Sequence, residues 1–199
     1  MASSSTRPMP RPRLNRRGLI AELIETAVLI VSIYALVDLA SVRYYVEGPS
    51  MEPNFYTGQR VIVSRINYMM TEPTFGEIVV VQSPSRPGFD PPLIKRIIGL
   101  PGDTLEIRNT QVLVNGNELF EPYINETCNL RLCPDNQWTL GPDEYFIMGD
   151  NRNHSNDSRA FGPITKSHIV GEVLVRYWPP QDWGLVSHIN MIQANGQQE

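Results

Sequence analysis

Only two of the 17 basic residues in this 199-residue sequence are lysines, Lys95 and Lys166. Removing the five arginines of the first 17 positions (Arg7, Arg11, Arg13, Arg16, Arg17) leaves a body with about 12 basic against 21 acidic residues. An acidic body with so little lysine excludes a nucleic-acid binder, which needs many phosphate contacts. Cysteine is nearly as scarce. Two cysteines exclude a disulfide-dense small scaffold. Beyond residue 45 no long segment carries a 3.6-residue hydrophobic period, which excludes a helical bundle. Hydrophobic residues at 41% and charged residues at 19% exclude wholesale disorder.

What is present begins with one apolar run, Leu19 to Val42, broken only by Glu22, Glu25 and Asp38 near its ends. At about 1.5 Å per residue it spans roughly 36 Å as a helix, enough for a hydrocarbon core of about 30 Å. It reads as a single-pass transmembrane anchor. A cleaved signal peptide and an interfacial or buried helix are the other readings, and no small-x-small cleavage site stands out near its end. Five arginines before the run against Arg43 just after it place the N-terminus in the cytoplasm and the body outside. An extracytoplasmic body would allow Cys128 and Cys133 to form a disulfide; two free thiols are the alternative.

The body is a series of short Val/Ile-rich runs bounded by Gly, Pro, Asn and Asp: residues 60–64, 77–82, 93–99, 104–108, 111–115, 144–148 and 170–177. Asn115-Gly116 signals a tight hairpin. The fold class is therefore mostly β and antiparallel, with one short helix expected near Lys166–Ile169. A basic tail (1–18) precedes the anchor, and a polar tail (187–199) ends the chain.

Chemistry has three candidate locations. Ser50 lies between Pro49 and Pro53 with Gly48 two residues before, on a rigid turn suited to a nucleophile. Of the histidines, only His154 lies in a polar run where it could serve as a base; His168 and His188 do not. Lys95 sits in Leu93-Ile94-Lys95-Arg96-Ile97-Ile98, sharing a strand face with Leu93 and Ile97. An apolar layer desolvates an amine and favours its neutral form, which can take a proton from a serine; a guanidinium cannot. The third location is the dense polar run Met148 to Arg159.

Taken in order, three segments resemble the type I signal peptidases. They are Gly48-Pro49-Ser50-Met51-Glu52-Pro53, Ile94-Lys95-Arg96-Ile97-Ile98-Gly99-Leu100-Pro101-Gly102-Asp103, and Met148 to Gly162 with its GDNR core. The similarity runs from about residue 19 to about residue 185, and it implies an antiparallel catalytic β-domain over residues 43–99 and 145–186 with a small second β-domain at 100–144. It implies a Ser–Lys dyad: Ser50 as nucleophile, Lys95 as general base, and Ser155 as the hydroxyl that orients the lysine. It implies supporting ion pairs Asp157 with Arg159 and Asp150 with Arg96, and an oxyanion hole that uses the backbone N–H of Ser50. Gly48 stands where some members carry a serine that aids the oxyanion hole, so the second donor is unassigned. Asn54 stands where threonine is common, a change expected to touch nothing catalytic. No metal or cofactor is implied. The implied substrates are signal peptides of secretory preproteins, the implied location is a bacterial cell membrane, and the implied second partner is the lipid bilayer. Tyr44, Tyr45, Met51 and Phe55 are expected as a patch that rests on lipid. A related self-cleaving Ser–Lys protease, or a non-enzymatic anchored β-domain that binds envelope proteins, are the competing functions.

Overall fold

The computed structural model describes residues 16–84, 88 and 90–187. Most of the basic tail, part of the proline-rich loop after Pro84, and His188 with the rest of the polar tail lie outside the described residues.

The apolar run forms helix α1, Arg16–Ala40. Its large side chains, Leu23, Leu29, Val31 and Leu39 among them, are exposed, so it is not a core helix. It stops two residues earlier than the composition suggested. Ser41 and Val42 instead open strand β1 (Ser41–Tyr45), which pairs antiparallel with β2 (Arg60–Ser64). The described residues up to Leu39 form one unit and those from Ala40 onward another.

The second unit is almost entirely antiparallel sheet. After β2 come the short helix α2 (Asn67–Met70), β3 (Ile78–Val81), β4 (Leu93–Gly99), β5 (Thr104–Arg108), β6 (Gln111–Val114), β7 (Asn117–Glu118) and β8 (Asn136–Thr139). Then follow β9 (Glu144–Met148), the one-turn helix α3 (Ser158–Phe161), β10 (Ile164–Thr165), β11 (Ile169–Trp178) and β12 (Gly184–Leu185). The larger sheet has the order β1-β2-β11-β3-β4-β9-β10, with β12 on β11; the smaller is β7-β6-β5-β8. The expected helix near Lys166 is a single 3-10 turn, Lys166–His168.

Local chemistry explains the elements. In β5, Leu105 and Ile107 face inward while Glu106 and Arg108 face out and pair with each other at 2.6 Å. Asn115 and Gly116 both take positive φ, 53° and 80°, as a two-residue hairpin turn requires. Asn109 and Thr110 turn β5 into β6 with the same signs but no glycine, a hairpin that residue type alone does not signal. β8, with the pattern Asn136-Gln137-Trp138-Thr139, escapes the Val/Ile criterion because it is an exposed edge strand.

β3 and β4 are buried along nearly their full length, because neighbours and packed layers cover both faces. One core cluster (Met51, Phe55, Val61, Val63, Ile78, Val80, Ile94, Val173) lies under the Ser50 turn. A second joins the two sheets through Ile98, Leu105, Val114, Leu140, Phe146 and Met148. Gly99 permits this contact: a Cβ there would meet Leu105 Cδ2 at 2.3 Å. Met51 and Phe55 are 1% and 3% exposed, so the expected lipid-resting patch is wrong at both residues. Their side chains hold the turn to the core, and of that patch only Tyr45 is largely exposed.

Candidate active site

The Ser50 turn is tightly built. Gly48 takes φ +82°, a left-handed conformation that favours glycine. Glu52 N–H donates to Pro49 O at 3.1 Å, and Phe55 N–H to Met51 O at 2.9 Å. From the far end of the chain, Asn151 N–H donates to the Ser50 carbonyl at 3.0 Å and Asn151 Nδ2 to Pro49 O at 3.2 Å. Among the described residues the Ser50 N–H itself donates to no acceptor.

Lys95 comes to Ser50 from β4. Its Nζ lies 2.8 Å from Ser50 Oγ and 2.9 Å from Ile94 O. Residues 93–96 pair with β3, but β9 meets β4 only from Arg96 to Gly99. One side of Leu93–Lys95 is thus free of strand partners. It borders a small cleft of about 40 Å³ lined by Tyr45, Val46, Glu47, Ser50, Met51 and Leu93 to Lys95 with Pro92. Larger cavities lie elsewhere, about 480 Å³ beside Tyr145 and Lys166 and about 320 Å³ beside Phe120 and Glu121. Neither is lined by a serine beside a buried amine.

Lys95 is 2% exposed. Burial pushes its amine down to about 8, although the nearby Asp157 and Asp150 carboxylates pull it up; the Arg159 charge works with burial. An amine with that pKa is neutral in a useful fraction of molecules near neutral pH, and neutral Nζ can accept the Ser50 O–H proton.

The polar run 148–159 packs against this pair. Asp157 Oδ2 accepts from Gly149 N–H at 2.9 Å, and its carboxylate takes Arg159 Nε at 2.8 Å and Nη2 at 2.7 Å. Burial pushes the Asp157 carboxyl up, but the Arg159 guanidinium and the Gly149 N–H outweigh it and hold the group below its ordinary value. Asp157 also caps α3, and Ser158 Oγ accepts from Ile147 N–H at 3.0 Å. Arg96 binds Asp150 in a two-pronged pair, Nε at 2.8 Å and Nη2 at 2.7 Å, and gives Nη1 to Gly76 O at 2.9 Å. Cys128 and Cys133 are disulfide-bonded, and Arg159 Nη1 lies 2.8 Å from Cys133 Sγ and 3.2 Å from Cys128 Sγ.

The structure therefore brings Ser50, Lys95, Asp150, Arg96, Asp157 and Arg159 into one neighbourhood. Ser155 stands beside it without a hydrogen bond to Lys95: its Oγ is buried and partnerless. It nonetheless lies near enough to Asp157 to help hold that carboxyl low. His154 is exposed and its backbone N–H donates to Asn151 O, and His168 bonds Thr165 Oγ1 at 3.0 Å, so among the described residues no histidine joins Ser50. Among the described residues no three His, Cys, Asp or Glu side chains cluster as metal ligands do.

Sequence reasoning missed Asn54, Glu121, Tyr123 and Arg152. Arg152 forms a buried pair with Glu121 at 2.5 Å and donates to Tyr123 Oη at 3.1 Å. Arg152 lies inside the GDNR core and so carried a signal. Glu121 and Tyr123 lie in an irregular connection where no period marks a residue.

The chain is similar to known proteins. Residues 20–178 match the family model described as signal peptidase, peptidase S26. Signal peptidase I of Leptolyngbya laminosa is 37% identical over 145 residues, 68% of each chain. Signal peptidase IB of Staphylococcus aureus (strain Mu50 / ATCC 700699) is 32% identical over 179 residues, 82% of this chain and 92% of that protein. A crystal structure of a signal peptidase I from Enterococcus faecalis V583 is 31% identical and covers 51% of this chain and 97% of its own, with a TM-score of 0.44.

Proposed function

The chain belongs to the S26 signal peptidase family of serine hydrolases, and we propose that it removes signal peptides from secretory preproteins with Ser50 as nucleophile and Lys95 as general base. The observation that carries this reading is the 2.8 Å approach of Lys95 Nζ to Ser50 Oγ inside a buried site. Neutral Lys95 accepts the Ser50 proton as Oγ attacks the scissile carbonyl. The resulting ammonium gives a proton to the leaving amine, and an acyl-ester remains on Ser50. The mature protein departs as that amine, and Lys95, neutral again, activates the water that hydrolyses the ester and releases the signal peptide from Ser50. The unpaired Ser50 N–H is available to the developing oxyanion. Family resemblance assigns Ser155 the lysine-orienting role, although its buried hydroxyl makes no hydrogen bond to Lys95 in this structure. The Asp150–Arg96 pair fixes the polar run against β4, and the Asp157–Arg159 pair braces the end of that run beside the Cys128–Cys133 disulfide.

An extended substrate segment can lie along the unpaired side of Leu93–Lys95, adding as a strand with alternate side chains directed into the cleft. Helix α1 anchors the enzyme in a membrane, with the N-terminal arginines on the cytoplasmic side and the body outside. Ser50 follows the helix by about ten residues, which suits cleavage close to the bilayer.

The test is cleavage of a purified secretory precursor by the wild-type chain, Ser50→Ala and Lys95→Ala, with N-terminal sequencing of the product. Either substitution should lower the rate by about 100- to 10,000-fold while the fold is kept. Retained cleavage in either folded variant refutes the dyad.

A further inference from the structure

Asn54 ends the turn that carries Ser50, and its side-chain amide is held on two sides. Its Nδ2 donates to Tyr123 O at 2.8 Å and to Asp150 Oδ2 at 2.8 Å. An amide nitrogen carries two hydrogens, so both bonds form together. The Asn54 backbone is held as well: its N–H donates to Met51 O at 3.0 Å, and its carbonyl accepts Arg176 Nη1 at 2.9 Å.

Both acceptors of the amide are themselves fixed. Asp150 Oδ2 also accepts Arg96 Nη2, and Arg96 is the residue after the base Lys95. Tyr123 is buried, with the Arg96 guanidinium 4.2 Å and the Arg152 guanidinium 5.8 Å from its ring centre. Its hydroxyl donates to Glu121, which pairs with Arg152. Asn54 therefore joins three separate pieces of chain: the end of the nucleophile's turn, the Arg96–Asp150 pair beside the base, and the Glu121–Tyr123 strap that follows β7.

We propose that Asn54 is a positioning residue, whose two side-chain hydrogen bonds lock the Ser50 turn to the Arg96–Asp150 pair and to the Tyr123 strap and so set the Ser50–Lys95 approach. The inference rests on the reading of Ser50 and Lys95 as the dyad. Asn54 is absent from the lining of the cleft, so its loss should act on turnover rather than on substrate binding.

The test compares Asn54→Leu and Asn54→Thr in the full chain, measuring kcat and KM on one precursor substrate, the rate of labelling by a serine-directed acylating probe, and the thermal midpoint. Asn54→Leu, with no donor, should lower kcat and the labelling rate about tenfold with KM within about twofold of wild type. Asn54→Thr, with a single O–H donor, should recover part of the loss and fall about threefold. Should Asn54→Leu fail to fold, a kcat decrease at constant KM in Asn54→Thr supports the role by itself. Wild-type kcat in the folded variants overturns it, as does a change confined to KM. Lys95→Ala separates the two levels. Retained activity there refutes the dyad, whereas loss there beside wild-type kcat in the Asn54 variants refutes only the positioning role.

Discussion

Lys95 meets Ser50 across a sequence separation of 45, Nζ to Oγ at 2.8 Å, from the end of β4 that β9 leaves uncovered. The same gap that leaves the strand edge unpaired brings the amine to the serine hydroxyl. The amine reaches the hydroxyl through packed apolar side chains, and that burial separates its chemistry from that of a surface lysine.

Lys95→Arg should be inactive. A guanidinium retains the charge and could reach Ser50, but it does not lose its proton in proteins. The loss should match that of Lys95→Ala, about 100-fold or more. Precursor cleavage together with circular dichroism of both variants decides it, and appreciable activity in Lys95→Arg would contradict proton transfer through this residue.

The rate should follow the neutral fraction of Lys95. Its amine is lowered by burial to about 8, so kcat/KM should rise with pH and level off above that value. Stability follows the same sign. Between pH of about 8 and about 10.4 the unfolded chain holds a proton on this lysine that the folded chain has lost. The wild type should therefore gain stability relative to Lys95→Met as pH rises through that window. Urea unfolding of the two proteins at several pH values measures the difference, and a flat difference would argue against the lowered pKa.

Ser155→Ala should separate catalysis from stability. Its buried Oγ makes no hydrogen bond in this structure and only helps to hold the Asp157 carboxyl low, so removing it should cost less than a formed hydrogen bond, under about 1 kcal/mol. If Ser155 orients Lys95, cleavage should nevertheless fall. An unchanged pH–rate profile would show that the lysine is oriented by other groups.

Asp150→Ala should be strongly destabilising. It strands the Arg96 guanidinium, 1% exposed, without its carboxylate. Breaking a buried pair from one side costs about 3–5 kcal/mol. Denaturant unfolding measures it, and a loss under about 1 kcal/mol would mean that Arg96 finds another partner or water.

Gly149→Ala should impair both properties. A Cβ there would lie 2.3 Å from Ser155 Oγ and 2.4 Å from the Ser50 carbonyl oxygen, so backbone must move at the nucleophile. Overpacking of this kind costs about 1–3 kcal/mol. Gly184→Ala, with open space around its Cβ, should change stability by no more than about 0.5 kcal/mol and serves as the control.

Local pattern alone was enough to place most strands of the larger sheet. Residues 60–64, 93–99 and 144–148 are strands with the bounds read from their Val/Ile content, because strand period and turn residues are local properties. The apolar N-terminal helix and the order of the three boxes were legible for the same reason. Lys95 could be singled out as an amine among apolar neighbours, since alternation along a strand is visible in the chain. Other features depend on what covers each face, and only the tertiary structure decided them. Met51 and Phe55 look like a surface patch in sequence, yet β2, β3 and β11 bury them. Asn54 looks like an inconsequential replacement, yet its two acceptors lie 69 and 96 residues away. Ser155 has the residue type that the lysine-orienting role requires, but packing leaves its hydroxyl without a bond. The type and order of the reactive groups are written along the chain. Their distances and the desolvation of the base arise from contacts between residues far apart in it, which no local pattern encodes.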